Sequence, residues 1–347
     1  MHSATGEVGV VQRLRRTLAD ARLEPHPHIL AGFSGGADSL ALLAALRELE
    51  RLGLLRLTAL HVDHGIRETS SSEAGAVAEV AASLGVPCEI WTIDPAALDR
   101  HRGVGPEEAL RRERYRAFAA TAARLGTDVV ATGHHQRDQA ETVLLHLLRG
   151  AGLHGVSGMR PLSTLTVPWW DGPGDRRTIR LWRPLLDEPV DVLRSFAESQ
   201  DLPIVEDPSN DDSLFRRNAI RNEVLPVLEA VMPGSVANIA RFAHLAAEDD
   251  HALDALATAL VNDAPEEAAL PLAFVAQQPV ALQRRVLRTW VLARIPHLEL
   301  SSQRVEALRR ACLRAEGGKR IQLGAGWTGV IQRGTLTLEH ERVHRGE

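Results

Sequence analysis

Ser34-Gly35-Gly36-Ala37-Asp38-Ser39 concentrates more anion-binding chemistry than any other stretch of this chain. Adjacent glycines let successive backbone N–H groups turn toward one point, and the N-terminus of a following helix adds partial positive charge there. The Ser34 and Ser39 hydroxyls can donate to phosphate oxygens, and the Asp38 carboxylate can hold a divalent cation. The loop is not of the Walker type, because no Gly-Lys-Ser/Thr follows and Lys319 is the only lysine in the sequence. A bare Gly-Gly pair also fits an ordinary turn before a capped helix. The full hexapeptide is more than such a turn requires.

Other polar groups gather in three places. Asp138 and Glu141 are three apart, so on a helix they share one face. Paired carboxylates there can bind an ammonium and help remove the proton that an amine must lose before it attacks. His61, Asp63, His64, His134 and His135 offer the donor types of a metal site, but no cysteine joins them, and loop histidines that hydrogen-bond explain them as well. In "EEALRRERYRAF", Arg111 or Arg112 could reach a triphosphate, while solvated pairs with Glu108 are the plainer account. Asn210, Arg216, Arg217, Asn218 and Arg221 form a basic cluster suited to RNA phosphates and splayed bases, or to an interdomain salt-bridge set.

The elements that would position these groups follow from periodicity. A short apolar run, Ile29 to Phe33, meets the glycines, and Leu40, Leu43, Leu46 and Leu49 then recur at helical spacing. Further strands in "LLRLTALHVDHG", "VPCEIWTID" and "TDVVATGHH" alternate with helices, the third of them around 107–125. This order predicts an α/β fold, a doubly wound parallel sheet with helices on both faces. Ligands of such sheets bind beyond the carboxyl ends of the strands, where the clusters at Ser34, His61 and Gly133 all fall. "STLTVPWWDGPGDRRTIRLW" reads as a loop or β-ribbon, with no chemistry assigned to Trp169 and Trp170. Ala- and Leu-rich helical sequence follows, and the chain ends in alternating residues around glycine turns. The expected division is 1–212 for the nucleotide-binding domain, 213–316 for an α-helical domain, and 317–347 for a small β unit.

Totals narrow the class. A chain of 347 residues with formal net charge −5 is long enough for two or three units, and any attraction to nucleic acid must come from a local arginine face. Cys88 and Cys312 form no C-x-x-C, so neither a disulfide framework nor a zinc ribbon is expected, and a cytoplasmic protein is. The first residues lack the h-region of a secretory signal, and no uncharged apolar run approaches the roughly 20 residues of a membrane span. No membrane partner is expected.

The string S-G-G-x-D-S after a strand resembles the PP-loop of the N-type ATP pyrophosphatases, which cleave ATP between its α- and β-phosphates and adenylate a substrate oxygen. With "HVDHGIR", "GHHQRDQAET" and the stretch from Arg183 to Pro226, the first 245 or so residues resemble the tRNA(Ile)-lysidine synthetases. That resemblance implies ATP and Mg2+ as cofactors, with an isoleucine tRNA bearing a CAU anticodon and free L-lysine as partners. The C2 oxygen of the wobble cytidine would be adenylated, and lysine would then displace AMP. It implies ATP binding by Ser34, Gly35, Gly36, Ala37, Asp38, Ser39, His61, Asp63, Gly133 and His134, with Mg2+ on Asp38. Lysine would fall to Asp138 and Glu141, and tRNA to Arg216, Arg217, Asn218 and Arg221. Asp38, Asp138 and Arg111 are the expected catalytic residues. Arg137 departs from the commonest family string, which has an aspartate there. Two other readings stay open: a tRNA thiolase, which would need cysteines this chain lacks, and a non-catalytic RNA-binding protein, prompted by Arg137. A homodimer is compatible with each.

Overall fold

A computed structural model describes residues 3–63, 70–101, 103–167, 176–205, 216–264, 268–296, 298–315 and 317–340. His64 to Arg67, Trp169, Trp170 and Asn210 lie outside the described residues. The principal sheet contains β1 (His28–Gly32), β2 (Arg56–Asp63), β3 (Cys88–Thr92), β4 (Val129–Ala131), β5 (Leu162–Val167) and β6 (Arg177–Trp182). Its order is β3-β2-β1-β4-β6-β5, parallel throughout except for β5 at the edge.

Both faces of the sheet's centre are buried, which explains why β1 and β4 are nearly uniformly apolar. Ile29 and Ala31 face one core together with Leu57, Ala59, Val129 and Ala131. Leu30, Leu60, Val130, Ile179 and Leu181 face the other. The first face is covered by α1 (Ser3–Asp20), α2 (Ala37–Arg51), α3 (Ser70–Ser83) and α7 (Val190–Glu198). The second is covered by α4 (Pro106–Arg124) through Tyr115, Phe118 and Ala122. The expected doubly wound sheet is present.

The predicted β-ribbon is the β5–β6 pair, but β6 also joins the main sheet, with Val129 opposite Arg180 and Ala131 opposite Trp182. Arg177 and Arg180 broke the apolar run that marks an inner strand. Arg180 reaches sideways instead, forking onto Asp128 at 2.8 and 2.7 Å.

Two compact units divide at Ala246/Ala247. The first also contains α5 (Gln136–Leu148), α6 (Leu153–Val156), α8 (Arg216–Ala219), a π-helical turn Ile220–Val224, α9 (Leu225–Val231) and the start of α10 (Ser235–Asn262). Ala140, Leu144 and Leu145 of α5 pack with Ile220, Leu225 and Leu228. That apolar seam binds the basic cluster to the nucleotide-binding unit, so the break lies beyond the expected position at 212.

The second unit holds α11 (Leu272–Ala276), α12 (Val280–Arg294) and α13 (Ser302–Arg314). It also holds β7 (Leu270–Pro271), β8 (Arg320–Gly324), β9 (Trp327–Gln332) and β10 (Thr335–His340), antiparallel in the order β7-β10-β9-β8. Trp290 and Leu308 of the helices share one core with Ile321, Leu323, Ile331 and Leu336 of the strands. Among the described residues, the apolar side chains of these short strands share that core with the helices, so the C-terminal strands do not separate from the helical part as expected. Lys319 lies just ahead of β8, its carbonyl accepting the Ile331 N–H at 2.9 Å. Among the described residues no helix is long and apolar enough to cross a membrane.

Candidate active site

The loop after β1 is shaped by close approach and by one left-handed residue. A Cβ on Gly32 would lie 2.8 Å from the Phe118 ring. Gly35 has φ +89°, and a Cβ there would lie 2.8 Å from Val77. The Gly35 carbonyl accepts the Val205 N–H at 3.1 Å. Gly36 is the N-cap of α2 and supplies no side chain to cap it, so first-turn N–H groups remain directed at the loop. Ser39 is buried; its Oγ donates to the Gly36 carbonyl at 2.9 Å and accepts the Ser34 N–H at 3.2 Å. Ser39 therefore braces the loop, while Ser34, exposed and 3.1 Å from Ser39 Oγ, is the hydroxyl available to a ligand.

A cavity of about 260 Å³ opens at this edge of the sheet. Ser34, Asp38, Ser39, Gly133, His134 and Asp138 line one side of it. Leu60, Val62, Arg114, Tyr115 and Phe118 line another. Gly133 is needed for closeness, since its Cβ would lie 3.0 Å from the Asp38 carbonyl. Asp38 is half-exposed, with Oδ2 3.3 Å from His135 Nε2.

Of the expected nucleotide ligands, Gly35, Gly36, Ala37, His61 and Asp63 are not among the residues lining the cavity. His61 donates from Nδ1 to the Phe33 carbonyl at 3.0 Å and so pins the start of the loop. Asp63 is buried at the end of β2, where its carbonyl accepts the Ile93 N–H at 2.8 Å. Arg111, the expected catalytic arginine, is not among the lining residues either. It is exposed, 3.5 Å from Glu108, with its guanidinium 4.9 Å from the Tyr115 ring centre. Arg112 likewise bonds Glu108 at 3.1 Å. The arginine in the wall is Arg114, 5.6 Å from the same ring. Arg111, Arg114, Tyr115 and Phe118 follow i, i+3, i+4, i+7 spacing, the signal that could have found Arg114.

Electrostatics around α5 differ sharply between neighbouring histidines. Burial pulls His134 down to about 3; the Asp138 charge opposes this, and Arg183, Arg114 and Arg217 reinforce it. His134 is therefore a neutral partner, with Nδ1 2.8 Å from Thr132 Oγ1. His135, which the sequence marked only as a possible metal ligand, is the N-cap of α5. Its Nδ1 accepts the Arg137 N–H at 3.2 Å, and its own N–H donates to Asp138 Oδ2 at 3.1 Å, a reciprocal capping box. That acceptor role leaves the proton on Nε2, facing Asp38. Burial opposes a second proton on His135, but the hydrogen bond to Asp38 and the charges of Asp138 and Asp38 outweigh it and raise the pKa. The second proton would remove the cap.

Asp138 and Glu141 share the inner face of α5 as expected, and both are buried. They are also occupied. Arg221 places Nε 2.6 Å from Glu141 Oε1 and Nη2 3.1 Å from Oε2, and reaches Asp138 Oδ1 at 3.0 Å. Arg217 donates to Glu141 Oε2 at 2.9 Å and lies 3.5 Å from Asp138 Oδ1. Burial pushes the Asp138 carboxyl up, but His135, His134, Arg217 and Arg221 together hold it below its ordinary value. The arginines expected to face tRNA and the carboxylates expected to face lysine thus meet one another. Arg137 donates from Nη2 to the Arg221 carbonyl at 2.9 Å. Arg216 is exposed, and Asn218 is half-buried.

Neither cysteine is poised for sulfur chemistry. Burial pushes the Cys88 thiol up to about 11 and the Cys312 thiol up to about 12, and they belong to different units.

A glycine-rich loop opening α2 beside the β1–β4 switch, above a doubly wound sheet, defines the PP-loop class, and residues 7–228 match the PP-loop domain family. Residues 270–337 match the TilS substrate binding domain. A tRNA(Ile)-lysidine synthase of Salinispora tropica is 40% identical over 287 residues, covering 81% of this chain and 81% of that protein. One from Pseudomonas syringae is 39% identical over 281 residues, covering 76% of this chain and 58% of its own length. The chain belongs to the tRNA(Ile)-lysidine synthase family. It spans between 44% and 62% of the length of three such relatives. Among solved structures, the U34-tRNA thiolase NcsA from Methanococcus maripaludis with its [4Fe-4S] cluster shares the fold, with TM-score 0.55 and 20% identity over 71% of this chain and 80% of that one.

Proposed function

We propose that this chain ligates lysine to C2 of the wobble cytidine of a CAU-anticodon isoleucine tRNA, using ATP and an adenylated tRNA intermediate. The observation that carries this reading is the single cavity onto which the Ser34–Ser39 loop, the Arg114–Tyr115 wall and Asp138 converge. Leu60, Val62 and Phe118 offer an apolar wall for adenine, and the α2 N-terminus, Ser34 and Arg114 offer donors for its phosphates. The cytidine C2 oxygen would attack the α-phosphorus, and pyrophosphate would leave. Asp38 fits Mg2+, which binds through one or two carboxylates together with phosphate oxygens. When bound, that ion would neutralise charge on the departing pyrophosphate. Neutral His134 supplies a hydrogen bond at the cavity without adding charge. In the second step the lysine amine would form the C–N bond at C2 while the C2–O bond breaks and AMP leaves. Asp138 and Glu141 would hold the ammonium and accept the proton that the amine must shed. Arg217 and Arg221, with Arg216 and Asn218 beside them, would contact the tRNA.

The test is incubation of the purified chain with ATP, magnesium, labelled lysine and a CAU-anticodon isoleucine tRNA transcript. Lysine-dependent label in the tRNA with matching AMP release is the expected result. AMP release without label would point to a different nucleophile, and neither product would leave RNA binding alone.

A further inference from the structure

The reading of Asp138 and Glu141 as the lysine-binding carboxylates meets an obstacle, because their negative charge is already matched by the guanidiniums of Arg217 and Arg221. Glu141 receives Arg221 Nε on Oε1, and Arg217 Nε with Arg221 Nη2 on Oε2. Asp138 receives Arg221 on Oδ1 and the His135 N–H on Oδ2. An ammonium added to two carboxylates that already face two guanidiniums brings an uncompensated positive charge, so it binds best once a guanidinium has left.

The arginines are placed to leave. Their side chains are 34% and 27% exposed, whereas those of Asp138 and Glu141 are 12% and 0% exposed, so the cationic side of the cluster is the more open to solvent. Arg221 sits in the π-helical turn Ile220–Val224, an i→i+5 winding found mostly as single turns at functional sites. Arg137 steadies this turn from the α5 side through the Arg221 carbonyl. Phosphate is the anion that matches two guanidinium forks bidentately and can compete with carboxylates for them.

We propose that Arg217 and Arg221 form an ionic latch over Asp138 and Glu141, steadied by Arg137, and that phosphate draws it open. This rests on the lysine-binding reading of the two carboxylates. The amine site then exists only when a phosphate-bearing substrate is seated, so lysine enters after it. RNA backbone and nucleotide triphosphate share the required chemistry.

Equilibrium dialysis of labelled L-lysine against the full chain distinguishes these sources. The chain is tested alone, with a non-hydrolysable ATP analogue, with the CAU-anticodon tRNA transcript, and with both. The latch requires lysine affinity to tighten by about tenfold or more in at least one phosphate-bearing arm, and the arm that tightens names the source. Arg137→Gln, which removes the bond to the Arg221 carbonyl, is expected to tighten lysine binding by the free chain and to leave the phosphate-bound affinity unchanged. A residue that merely supported the fold would not give a gain confined to the free state. Equal lysine affinity in all four arms of the unaltered chain overturns the latch and leaves the ligase reading standing. No lysine binding in any arm overturns the lysine reading and the latch with it.

Discussion

Single residues carry the pH dependence of this protein. His134 binds its proton far less readily in the folded chain than its ordinary value of 6.5 allows, being pulled down to about 3. Between those values the unfolded chain takes up a proton that the folded chain refuses, so acid shifts the balance toward unfolding. The denaturant midpoint is therefore expected to fall as pH drops from about 6.5 toward 4, and His134→Asn should flatten that fall. An unchanged slope in the variant would remove His134 from the account. Asp138 contributes in the same direction: its lowered carboxyl pKa adds stability above the unfolded value that is lost as pH falls through the folded one. At this scale the hexapeptide at Ser34 and the three-residue spacing of Asp138 and Glu141 were legible, because each is local. A salt-bridge set was one of the two readings of Arg217 and Arg221, but its partners were not legible, because they lie 76 and 80 positions away and only the α5–α9 apolar seam brings them together. The cap formed by His135 was hidden for a different reason: histidine is an uncommon N-cap, and its ring suggested a metal.

Elements set the cavity by how closely they approach. Gly32 lets β1 lie against Phe118 of α4, the helix that carries Arg114 and Tyr115. Gly32→Ala must displace that ring, and overpacking of this kind costs about 1–3 kcal/mol. The expected outcome is a lower Tm with weakened ATP binding; full stability would show that α4 shifts freely. Gly35→Ala adds backbone strain at φ +89° and a contact with Val77, and is expected to cost about 1–3 kcal/mol, read from a denaturation curve. The strand–helix alternation was legible because apolar runs and helical periodicity are strong signals in a sheet buried on both faces. The place of β6 was not, because its arginines spend their charge on Asp128 and on the Thr127 carbonyl at the sheet edge, which no periodicity records.

At the scale of the chain, each unit has its own core. In the second, Trp290 and Leu308 depend on Ile321, Leu323, Ile331 and Leu336 for burial. A chain ending at residue 316 is therefore expected to lose protease protection across α12 and α13 while the first unit keeps its resistance. Retained protection of those helices would contradict the shared core. Composition predicted more than one unit, but hydropathy cannot say which helices and strands share a core.

Arg114 in the cavity wall and Arg217 and Arg221 against Asp138 are arginines, and Lys319, the one lysine of the sequence, belongs to the second unit. The first unit thus has no lysine side chain of its own. A guanidinium stays protonated near neutral pH and is a poor nucleophile. An activated electrophile formed in this cavity would meet charge and hydrogen bonds from the first unit but no lysine amine of that unit able to be consumed by it. Under the proposed reaction, the first unit therefore offers no lysine of its own to compete with the amine that arrives from outside.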